Sequence, residues 1–168
     1  MFDALFTTTT EYKKLSHALS GKGACALFGL PASGRAQVYA ALCRQLDKPL
    51  CIVTPGEAEA TRFAADLNTL GIPAAVFPAR DYVLRPIEGT AREYEYRRLA
   101  VLGELVGGRL RAVAVPAEAL TQFTTPKEDF CANTRTLHAG DTLLRDDLLA
   151  ALFGAGYTRR AQVDGPGQ

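Results

Sequence analysis

Four short, unbroken apolar runs, each followed by a glycine- or proline-containing break, leave few folds open to this chain: Ala24–Phe28, Leu50–Val53, Ala74–Phe77 and Ala112–Val115. A strand wetted on one face alternates apolar with polar residues, whereas a continuous run points to burial on both faces. Between the runs the period changes to that of a helix. Val38, Leu42 and Leu46 follow the first, and Ala60, Phe63, Ala64, Leu67 and Leu70 follow the second and end at Gly71. Ala91, Tyr94, Leu99, Leu102, Leu105 and Val106 share a face after the third, up to Gly107–Gly108. The pattern predicts an α/β fold, a parallel sheet flanked by helices on both faces with right-handed crossovers. A short helix over 11–20, carrying Leu15 and Leu19 and closed by Gly21 and Gly23, precedes it.

The texture shifts after residue 120. TQFTTPKEDFCAN is polar and turn-rich, Thr134–His138 is a candidate short strand, and Leu148, Leu149, Leu152 and Phe153 mark a helix ending near Gly154 and Gly156. Residues 157–164 read as a strand and Gly165–Gly167 as a turn, with nothing after it for a strand to turn into. The expected organisation is an α/β domain over 1–120 followed by an incomplete small α+β domain over 121–168.

Composition excludes several function classes. A formal net charge of +1 over 168 residues supplies no overall field for nucleic acid or anionic lipid, so such binding would have to be local. Cys25, Cys43, Cys51 and Cys131 form no CxxC pair, and His17 and His138 stand apart, so zinc-ligand spacing is missing and no metal is expected. The four cysteines are expected to be reduced, structural thiols that act as small buried apolar groups. No apolar run approaches the roughly 20 residues that span a bilayer, which makes the cytoplasm the default.

The stretch richest in chemical meaning is Gly29-Leu30-Pro31-Ala32-Ser33-Gly34-Arg35-Ala36, between the first predicted strand and its helix. In a phosphate-binding loop GxxxxGK[ST] the glycines let backbone N–H groups surround phosphates. The lysine reaches the β- and γ-phosphates and the hydroxyl holds Mg²⁺. Gly29 and Gly34 keep the five-residue spacing, but Arg35 replaces the lysine and Ala36 the hydroxyl residue. A guanidinium fork does not mimic a compact ammonium, and a methyl group ligates no metal. No acidic partner ends the fourth run, which reads Ala112-Val113-Ala114-Val115-Pro116. The loop is therefore read as a degenerate phosphate loop serving as a tight turn, with no cofactor and no catalytic residue expected. Ser16 and His17 cannot face each other as neighbours on a helix, and Asp146–Asp147 suits a helix amino terminus better than an acid/base pair. The basic residues Arg92, Arg97, Arg98, Arg109 and Arg111 alternate with Glu93, Glu95 and Glu104, which predicts ion pairing along a solvated helix.

In order and spacing, GLPASGRA, PLCIVTPGEAEATRFAADLNTLG, VFPARDYVLRP and VAVPAEAL resemble the amino-terminal region of the bacterial transcription-repair coupling factors. That region is itself similar to the excision-repair helicase UvrB. The resemblance implies a UvrB-like module without an ATPase of its own, the ATP-dependent DNA translocase lying elsewhere in the parent protein along with the contacts to DNA and RNA polymerase. UvrB carries a damage-probing hairpin after its third strand, for which the dozen residues Arg80–Ala91 leave no room. The resemblance further implies a docking surface for UvrA on the second domain. RDDLLAALFGAGYTRRAQVDGPGQ places Tyr157 and Arg159 at the matching positions, with Arg160 as a neighbour. In the family a second arginine-containing strand follows the turn, and the sequence stops before it. Two other functions fit parts of the pattern: an NTP-binding or hydrolysing domain using Arg35, and a DNA-binding fragment of an excision-repair helicase.

Overall fold

A computed structural model of the chain describes residues 6–21, 23–46, 48–80 and 93–163, arranged as two compact units, Met1–Gln122 and Phe123–Gln168. The first unit is built on three parallel strands, β1 (Leu50–Thr54), β2 (Ala74–Val76) and β3 (Ala112–Pro116), in the order β1-β3-β2. Leu50 pairs with Ala112 and Thr54 with Pro116 on one side of β3, and Ala74 with Ala112 on the other. Flanked by strands on both edges and covered on both faces, β3 is buried at all five positions.

Helices α1 (Thr10–Ser20), α2 (Ala32–Gln45) and α3 (Glu57–Thr69) lie to one side of this sheet. Ala36, Ala40 and Cys43 of α2 and Ala60, Phe63, Ala64 and Leu67 of α3 pack on Ile52, Ala112 and Ala114. Val38, Ala41 and Leu42, on another stripe of α2, pack against Tyr12 and Leu15 of α1. On the opposite face Phe77, Val113 and Val115 are covered by Ala119 of the short α5 (Ala117–Leu120) and by Val101, Leu102 and Leu105 of α4 (Glu93–Val106). The α/β class read from the sequence is therefore the observed one, a small parallel sheet between helical layers.

Local chemistry sets the element ends. The Thr9 hydroxyl accepts from the Tyr12 amide at 3.3 Å and caps α1. Glu57 and Glu59 occupy the first turn of α3, where the helix dipole favours negative charge. Gly71, at φ +75°, supplies the left-handed residue that ends α3, and the Asn68 amide bonds Ala64 O and Ala74 O at 2.8 Å each to bring the chain back into β2. The Arg111 guanidinium donates to Cys43 O and Leu46 O at 2.6 Å, satisfying carbonyls at the end of α2 and fastening that helix to the residue before β3.

Several expectations are corrected. Ala24–Phe28 is not a strand: residues 23–29 have no ladder partner and all are exposed, Phe28 at 87%. Three of its five residues are alanine or cysteine, so pairing would bury little apolar area against the entropy of ordering the backbone. The sheet consequently has three strands rather than four. Neither Thr134–His138 nor the described part of 157–164 is a strand, since among the described residues no neighbouring strand satisfies their backbone groups. The turn-rich stretch after residue 120 contains a helix instead, α6 (Lys127–Ala132), ahead of α7 (Arg145–Gly154). Of the four free cysteines only Cys43 is buried, while Cys25, Cys51 and Cys131 are exposed. Asp81–Gly89, the start of the long helix at Ala91, Arg92 and the turn Gly165–Gly167 lie outside the described residues.

Two measurements check this core. Leu67 is 0% exposed at the centre of the α3 contact, so Leu67→Ala should lower unfolding stability by about 2–5 kcal/mol in urea titration. Burial pushes the Cys43 thiol above its ordinary range, with Arg111 and Arg44 offsetting only part of that rise. A thiol reagent at neutral pH should therefore label Cys25, Cys51 and Cys131 in the folded protein and reach Cys43 only as the chain unfolds, or more readily as pH is raised.

Candidate functional site

The glycine stretch forms a turn whose geometry follows from its proline. Pro31 stands at the helix boundary in an extended conformation, and α2 begins at once with Ala32. Gly29, at φ +80°, allows the chain to reverse before it. Gly34 already lies in the first turn of α2, and a Cβ there would meet Pro31 Cδ at 3.2 Å, a close approach that accounts for the second glycine. The Arg35 amide donates to Pro31 O at 3.0 Å, as a first helical bond. The Arg35 guanidinium lies 3.8 Å from a Glu59 carboxylate oxygen and 5.9 Å from the centre of the Phe63 ring, both on α3. Ala36 is 2% exposed and packs among Ala40, Ala60 and Phe63, so its methyl group belongs to the core. A hydroxyl at this position would enter an apolar contact, and the cation beside it is turned to a carboxylate of the same unit.

A cluster that sequence reasoning missed lies beyond the carboxyl ends of β2 and β3. Arg98, on α4, is 5% exposed; it donates to Pro78 O at 2.8 Å and Gln122 Oε1 at 3.1 Å, and lies 4.1 Å from the centre of the Phe77 ring. Gln122 Oε1 also accepts from the Arg80 amide at 2.7 Å, while its Nε2 donates to Arg80 O at 3.0 Å. Arg80 in turn meets Glu95 at 2.7 Å. Desolvation, followed by the neighbouring Arg80 charge, lowers the Arg98 pKa from its ordinary value, yet arginine remains charged at any physiological pH. The cluster binds three separate segments into one surface. Its sequence signal was phase: Tyr94, Arg98, Val101, Leu102 and Leu105 recur at helical spacing, which puts Arg98 on the apolar stripe.

The arginines along this region thus divide. Arg97 pairs with Glu93 and Arg109 with Glu104, each at 2.7 Å on the surface, as the interleaved charges predicted. Arg98 and Arg111 depart from a solvated helix face: Arg111 donates to the Cys43 and Leu46 carbonyls, and the buried Arg98 donates to Pro78 O and to the Gln122 side chain.

In the second unit Asp146 and Asp147 fall in the first turn of α7. The helix ends in a left-handed glycine cap: Gly156, at φ +88°, donates to Phe153 O, and Tyr157 donates to Leu152 O, both at 3.0 Å. Tyr157 is thereby placed directly after the helix and is 42% exposed, and Arg159 and Arg160 follow in exposed, irregular chain. Neither arginine takes part in an ion pair among the described residues. The phosphate-loop residues lie in the first unit and these three in the second. Among the described residues no group of three or more His, Cys, Asp or Glu side chains could hold a metal ion, and no helix is long and apolar enough to cross a membrane.

No family model matches the chain, and no solved structure matches it. It is 26% identical over 144 residues to the transcription-repair-coupling factor of Bacillus subtilis (strain 168). That alignment takes in 84% of this chain and 12% of the relative, so the chain spans a small part of the protein it matches. The similarity runs along most of the chain, and it agrees with the resemblance to the transcription-repair coupling factors that the ordered motifs of the sequence carry.

Proposed function

We propose that this chain is a non-catalytic, UvrB-like amino-terminal module of a transcription-repair coupling factor, acting in transcription-coupled nucleotide excision repair by recruiting UvrA. The observation that carries the non-catalytic half is Ala36, whose methyl group fills the core where a working phosphate loop presents a metal-binding hydroxyl. Arg35, directed to Glu59 and Phe63 of α3, supports the same reading. Gly29–Ala36 then serves as a degenerate phosphate loop, a strand-free turn that starts α2. Recruitment is assigned to Tyr157, Arg159 and Arg160, an exposed aromatic followed by two exposed arginines that take part in no ion pair among the described residues. Tyrosine and arginine are enriched among residues that dominate binding energy at protein interfaces. In this reading the ATP-dependent translocase and the contacts to DNA and RNA polymerase reside in other parts of the parent protein, and the whole acts in the bacterial cytoplasm.

Capture of purified UvrA by the immobilised chain tests the recruitment half. Arg159→Ala is expected to weaken retention by at least about tenfold, and binding undiminished by that change removes Arg159 from the site. Calorimetric titration with Mg²⁺-ATP tests the other half. No saturable heat and no turnover are expected; turnover that disappears on Gly34→Val would establish the chain as an NTPase.

A further inference from the structure

We draw no further inference here: the strongest candidate, the surface patch at the outer edge of β1 where Cys51 and Val53 are exposed, is an unpartnered apolar face, and nothing in the structure shows what covers it.

Discussion

Strand β3 is the element on which the first unit depends. All five of its residues pair with β1, three of them also pair with β2, and both faces are packed, so the α2 and α3 side chains and the α4 and α5 side chains all find their apolar surface on one five-residue segment. Such placement demands small side chains. Ala112 and Ala114 face Ala36, Ala40, Ala60 and Ala64, which lets two helices approach the same short strand closely, and the bulk is supplied by Leu67, Phe63 and Ile52 around them. The cost of this economy is that core positions cannot be reassigned to chemistry. Ala36 is held in the same cluster and has no freedom to present a polar group to a ligand.

Arginine plays three physical roles here, and burial separates them. At Arg97 and Arg109 the charge is solvated and paired with glutamate, an arrangement worth a few tenths of a kcal/mol to about one. At Arg98 and Arg111 the fork of donors satisfies carbonyls left open by helix and strand ends, so the charge is accommodated by hydrogen bonds and, at Arg98, by the face of Phe77. At Arg159 and Arg160 no such partner is present within the described chain, and in the proposed function they are reserved for another molecule.

The two units also differ in kind. The first contains three buried clusters; the second contains two short helices, neither with a side-chain cap at its amino terminus, and no buried position among its described residues. Capping and hydrogen bonding fix where α7 stops, but they do not make a fold, because the net gain from each backbone hydrogen bond is small beside the entropy of ordering the chain.

The amino-acid order by itself determined the α/β class, the positions of α1 to α4 and α7, and the three strands that pair, because each rests on apolar period and on glycine at helix ends, both of them local properties. It also shows Arg35 and Ala36 directly after the Gly29 and Gly34 spacing. Tertiary structure alone decided that Ala24–Phe28 stays outside the sheet, that Cys25, Cys51 and Cys131 face solvent, and that Arg98 joins Gln122 and Pro78 beneath the surface. It also decided that the apolar residues of α7 find no cover among the described residues of the second unit. Pairing, burial and enclosure each require a second segment distant in sequence, and a local pattern states only what a segment can offer, never whether its partner arrives.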